Sequence, residues 1–125
     1  MAVTLIGEQT SYEIGPGENR AAANRFEAEA TVVFAKQLSA KGNLTALNTS
    51  LRAVEEDMLS PEGLPGRPWY RHTIFAPGEY TGYAAVVIPG VNEAIDARDA
   101  GRAQAQMANV TAALVRATET LEEVQ

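Results

Sequence analysis

No cysteine occurs in this chain, and there is a single histidine. The first absence removes disulfides, thiolate metal sites and cysteine nucleophiles. The second leaves His72 as the one candidate imidazole base, with no second imidazole to share a metal ion. Long apolar runs are also missing: nothing approaches the ~18 consecutive residues that a membrane-spanning helix needs. The opening, MAVTLIGEQT, has no basic segment followed by a long apolar one, so no signal peptide is expected there. Basic residues are few and scattered apart from Arg67 and Arg71. With a net charge of −6 and a pI near 4.7, the chain lacks the clustered Lys and Arg that phosphate backbones require, so no nucleic-acid partner is expected.

Catalytic signatures are equally sparse. There is no H-x-x-x-H, no G-x-S-x-G and no Gly-rich phosphate loop. Glu55, Glu56 and Asp57 are neighbours on a predicted helix, so their carboxylates point in different directions. Glu122 and Glu123 are terminal. The residues therefore predict no catalytic residue, no metal site and no cofactor. Sequons at Asn43, Asn48 and Asn109 fall on or beside predicted helices and read as chance matches.

What is present points to helices. The chain has 125 residues, the length of one domain. Its 46% hydrophobic content is rich in alanine, which suits helices that approach closely. Asn19 is placed to cap a helix over 20–41, with Phe26, Ala30, Val33, Phe34, Gln37 and Leu38 on one side. Gly42 ends it, and Asn43 caps the next. In that second helix Leu44, Leu47, Leu51, Val54 and Met58 repeat in a 3-4 rhythm. Its acidic end, at Glu55 to Asp57, opposes the helix dipole and is either a solvated face or the partner of a loop cation, Arg67 or Arg71. Ser60-Pro61 stops the helix. A short helix over 91–98 carries Val91, Ala94 and Ile95. A last helix over 102–123 repeats Met107, Val110, Leu114, Ala117, Leu121 and Val124, with Ala105, Ala108, Ala112 and Val115 on another side. That second side faces either a partner or this chain's own bundle. The expected fold is all-α: a four-helix up-down bundle over 19–125. Residues 1–18 form a leader that is either flexible or a short strand.

Between the second and third helices lies a long segment, GLPGRPWYRHTIFAPGEYTGYAAVVIPG. It is expected to be irregular, stiffened by Pro61, Pro65, Pro68, Pro77 and Pro89. It holds Trp69, Tyr70, Phe75, Tyr80 and Tyr83. Long irregular loops in compact domains are uncommon and are usually functional. Arg67, Trp69, Tyr70, Arg71 and His72 are the residues expected to anchor it, His72 by bonding to backbone within the loop.

The run LPGRPWYRHTIFAPGEYTGYAAVVIPGVNEAI, followed by an alanine-rich helix ending ATETLEE, resembles the transferrin receptor-like dimerisation domain. That is the C-terminal helical domain of the glutamate carboxypeptidase II and transferrin receptor group, and the likeness covers residues 44–124. The resemblance implies a non-catalytic homodimerisation module whose zinc ligands and catalytic glutamate belong to a separate peptidase domain of a parent chain. With no long apolar run, no membrane contact by this segment is expected. The resemblance also implies that the long loop helps to line the peptidase domain's substrate pocket. Where glutamate-preferring members carry a Lys-Tyr pair, this chain has Gly82 and Tyr83, so the lysine is missing. Ala105, Ala108, Ala112, Val115 and Val91 are the expected dimer contacts. The alternative function is a partner- or ligand-binding module that uses the aromatic loop.

Overall fold

The computed structural model describes residues 3–6, 11–14, 17–80 and 82–124. In chain order these form β1 (Val3–Ile6), β2 (Ser11–Ile14), α1 (Gly17–Ser39), α2 (Thr45–Asp57), β3 (Phe75–Pro77), β4 (Ala85–Val87), α3 (Pro89–Asp96) and α4 (Ala100–Glu122). The chain is mostly helical, as expected, but it is not all-α. β1 pairs antiparallel with β2, Val3 opposite Ile14, and β3 pairs antiparallel with β4, Phe75 opposite Val87. The GPG break expected at 15–17 falls partly outside the described residues, and α1 already begins at Gly17.

α4 is the axis on which α1, α2 and α3 all pack. Its inward residues explain how one helix can serve three. Ala103, Ala113 and Ala117 are fully buried, as is Ala94 of α3, and alanine lets helix axes come close. α3 lies on the first half of α4, where Val91 meets Met107 and Val110. α2 lies on the second half, where Met58 and Val54 meet Ala113 and Ala117.

Contacts along α4 give the helix directions. Asn19 bonds to Thr111 and Arg25 to Glu122, so α1 runs parallel to α4. Asp57 sits beside Thr120 and Arg116, while Leu44 and Leu47 line a cavity with Val124, so α2 runs antiparallel to it. α3 is joined to α4 by a turn over 97–99 and is antiparallel as well. The order is up, down, down, up. The expected up-down alternation fails because α2 and α3 lie one after the other along α4, both running toward its amino end.

Helix ends show how local chemistry sets boundaries. Asn19 does not cap α1: it lies inside the helix, buried, and its amide donates to Thr111 Oγ1 at 2.8 Å. Gly42, at φ +85°, follows the end of α1, where a side chain would be strained. Asn43 Oδ1 accepts from the Thr45 amide at 3.0 Å, relieving one orphan donor of α2. At the other end of α2, Arg116 Nη2 donates to the carbonyls of Asp57 (2.9 Å) and Leu59 (3.0 Å). A cation there also offsets the dipole. Asp99 caps α4 through the Arg102 amide at 2.9 Å.

The zero exposure of Ala113 generates a direct test. Ala113→Leu would force α2 away from α4 and should cost about 1–3 kcal/mol, read as a fall in the denaturant midpoint at unchanged m-value.

Candidate functional site

The segment after α2 is folded rather than irregular. The Met58 carbonyl accepts both the Thr73 amide (3.0 Å) and Thr73 Oγ1 (2.7 Å), and the Ser60 amide donates to the Arg71 carbonyl at 2.7 Å. These bonds run residues 71–73 back along 58–60. Within the enclosed bend, the Leu64 amide donates to the Tyr70 carbonyl at 2.8 Å. Gly63 is dictated by packing: a Cβ there would lie 2.3 Å from the Pro68 carbonyl oxygen, and its φ is +73°. β3 and β4 then form a stalk whose tip, around Gly78 to Ala84, is closed by the Gly78 amide on the Ala84 carbonyl at 3.0 Å.

One carboxylate holds stalk, bend and bundle together. Glu93 of α3 is 3% exposed. Its Oε2 receives Arg67 Nη2 at 2.5 Å, and its Oε1 receives the Glu79 amide at 2.9 Å. Arg67 also donates Nη1 to the Pro77 carbonyl at 2.7 Å and lies against the Tyr70 ring. Arg102 of α4 completes the cluster, 3.5 Å from Glu79 Oε2 and 4.0 Å from Glu93 Oε2. Two guanidiniums and two carboxylates thus balance in charge, with Arg67 and Glu93 enclosed and Arg102 and Glu79 open in part to water.

The candidate anchors divide sharply. Arg67 is buried and central. His72 is half-buried and stacks on Phe75 at 4.1 Å. Its Nδ1 accepts the amides of Ile74 (3.1 Å) and Phe75 (3.4 Å), so Nε2 carries the ring proton and donates to Glu55 Oε1 at 2.9 Å. Of the two readings of the acidic end of α2, the solvated face fits Glu55 and Glu56, which are exposed, and neither Arg67 nor Arg71 pairs with it. The partner is His72 at Glu55, with Arg116 on the backbone. Arg71 is exposed and its Nε bonds to the Ser60 carbonyl at 3.2 Å. Trp69 does not pin the segment: it is 69% exposed and tilts against Tyr70, the rings 6.2 Å apart. Outside the segment, a hydrogen bond and charge from Glu122 hold the exposed Arg25 guanidinium above its ordinary value.

Gly82 and Tyr83 stand at the tip, Tyr83 at 97% exposure. Gly82 has φ +71° with open space where a Cβ would point. A cavity of about 390 Å³ lies beside the stalk, lined by Leu59, Trp69, His72 and Phe75 among others. Among the described residues no group of three or more His, Cys, Asp or Glu is placed to hold a metal ion. No described helix is long and apolar enough to cross a membrane. Of the proposed dimer contacts, Ala105, Ala108, Ala112 and Val115 are exposed on α4. Val91 is a correction: at 3% exposure it is packed on Met107 and Val110 inside the subunit, and offers a partner nothing.

Sequence reasoning missed Glu93, Glu79, Arg102 and Arg116. Nothing in VNEAID marks Glu93 as buried. The available signal was Arg67, a cation between prolines and aromatics that needs a counter-charge wherever it is enclosed. Glu93→Ala removes that charge and should destabilise the fold by about 3–5 kcal/mol. The double change Glu93→Leu with Arg67→Met should recover much of the loss, as equilibrium unfolding would show.

Comparison with known proteins agrees with this architecture. Three curated relatives match part of the chain. "Probable glutamate carboxypeptidase" of Arthroderma benhamiae is 47% identical over 57 residues, 46% of this chain and 8% of the relative. "Probable glutamate carboxypeptidase LAMP1" of Arabidopsis thaliana is 42% identical over 50 residues, 40% of this chain and 7% of the relative. "Probable glutamate carboxypeptidase VP8" of Zea mays is 39% identical over 49 residues, 39% of this chain and 7% of the relative. The chain thus matches less than a tenth of each relative's length. The family match is broader, spanning residues 18–122. It takes in all of α1 after Gly17, a helix that the resemblance read from the loop motif left out. The chain belongs to the transferrin receptor-like dimerisation domain family.

Proposed function

We propose that this chain is the homodimerisation module of a glutamate carboxypeptidase-like zinc metallopeptidase, with catalysis carried by a separate peptidase domain. The observation that carries the reading is the family match over nearly all of the helical part. The relatives' names support the choice of parent enzyme.

The stalk supports a finer reading, in which the 63–90 segment reaches the substrate pocket of the peptidase domain. Its base is fixed by the Arg67–Glu93 pair, while its aromatic surface is left open: Trp69, Phe75, Tyr80 and Tyr83 are all exposed. A rigid base with an unpartnered tip suits a surface completed by another domain. Tyr83 would meet substrate there. Gly82, without a side chain, would leave unmade any contact a lysine provides. The same open aromatics favour a second reading, a partner-binding module, in which Trp69→Ala weakens the complex and leaves unfolding unchanged.

Sedimentation equilibrium at tens of micromolar should give twice the 13.3 kDa of the subunit. A strict monomer would defeat the dimerisation reading. Tyr83→Ala should change stability by no more than about 0.5 kcal/mol, since the side chain touches nothing that folding buries. In the parent peptidase the same change should raise KM severalfold, and an unaltered KM removes the pocket role.

A further inference from the structure

α1 has two apolar faces, and the subunit uses one of them. Phe26, Ala30 and Val33 face inward, Val33 at 3% exposure. Thr31, Phe34, Ala35 and Leu38 follow the i, i+3, i+4, i+7 spacing of a second helix face, and all four are exposed. Phe34 is 59% exposed and Leu38 73%, with Val32 at 63% on the flank. Three large apolar side chains so open on one helix call for a cover.

We infer that this face of α1 is the self-association surface, packing against the same face of a second copy about a two-fold axis. The inference rests on the dimerisation reading and adds where the contact lies. Three observations choose a second copy as the occupant. The family is one of dimerisation domains. The chain is acidic, with net charge −6, yet no Asp or Glu occurs from Ala30 to Val54, where Lys36, Lys41 and Arg52 are the charged residues. Two copies meeting on this face bring no carboxylate of α1's second half against another, a property shared by the outer strip of α4, which has no charged residue from Ala103 to Val115. By Lys36, whose Nζ donates to the Val124 carbonyl at 3.1 Å, α1 has reached the carboxyl end of α4. Its last turn therefore projects beyond the helix it packs on. The outer strip of α4 offers a partner chiefly the methyl groups of Ala105, Ala108 and Ala112, which bury little area, and a stable interface needs roughly 800 Å² per partner.

The test compares three 125-residue proteins by sedimentation equilibrium across a concentration series, with circular dichroism of each. These are the unaltered chain, Phe34→Glu with Leu38→Glu, and Ala108→Glu with Ala112→Glu. The expected result is dimer for the first and third, and at least a 100-fold rise in the dimer dissociation constant for the second, at unchanged helicity. Phe34→Ala, which adds no charge, should weaken association at least tenfold, and no effect would overturn the inference. Dissociation of the α4 variant with a dimeric α1 variant would also overturn it, while leaving the dimerisation reading intact. A monomeric unaltered chain would remove that reading and this inference together, and would assign the face to another domain of a longer chain.

Discussion

The Arg67–Glu93 pair is the contact on which the rest of the structure turns. Residues 58–88 separate the end of α2 from the start of α3, and few of them bury apolar side chains. What fixes their path is a charge that cannot be left alone. Once Arg67 is enclosed beneath the bend, its guanidinium must meet a carboxylate, and Glu93 is presented by α3 at 2.5 Å. Glu93 in turn takes the Glu79 amide, so the same carboxylate sets the position of the stalk relative to α3. A buried pair of this kind adds little net stability, because desolvating both ions offsets their attraction, but breaking it is costly. Its effect is to exclude other arrangements. The unbonded Nε of Arg67 and of Arg102 fits that view: the cluster is set by charge and register more than by saturation of every donor.

That distinction explains what the sequence disclosed and what it withheld. The seam of α4 was legible because Met107, Val110, Ala117 and Leu121 recur at helical spacing and are all buried. So were the stop at Gly42 and the side-chain help of Asn43. The rhythm of α2 was legible too, yet no α2 residue is buried, because α4 covers that stripe from one side only. On α1, Phe34 and Leu38 were grouped with Val33, but successive residues on a helix turn by about 100°, and the inward face passes through Val33 and leaves Phe34 outside. Alanine gave no orientation at all: Ala113 and Ala112 are adjacent letters, one sealed and one in water. Helix direction was hidden for a different reason. It depends on where the long segment sets α3 down after α2, and Arg67 meets Glu93 there across 26 positions.

The segment itself separates anchoring from display. Its ties use backbone amides and carbonyls, the guanidiniums of Arg67 and Arg71, the Thr73 hydroxyl and one imidazole. Its aromatic rings are largely spared: Trp69, Phe75, Tyr80 and Tyr83 each expose more than half of their surface. A loop held by its rings would have little to offer a second surface. A loop held by its backbone can keep its rings available without becoming slack. His72 shows the economy of the arrangement, since Nδ1 organises the turn into β3 while Nε2 reaches Glu55 on α2.

The same logic bears on why a chain of this size would associate at all. α4 carries three helices because its inner positions are alanine, and alanine buys proximity by giving up buried area. Each such contact brings backbones together and removes only a methyl group from water, worth under 1 kcal/mol. The larger side chains, Phe34, Leu38 and Leu44, are left toward the end where α1 and α2 leave α4. A subunit built on close alanine packing therefore leaves exposed hydrophobic area at this end as well as on the rings of the stalk. Assembly through the α1–α2 end, as inferred above, would add burial where the isolated fold lacks it and would couple the stability of that end to the presence of a partner.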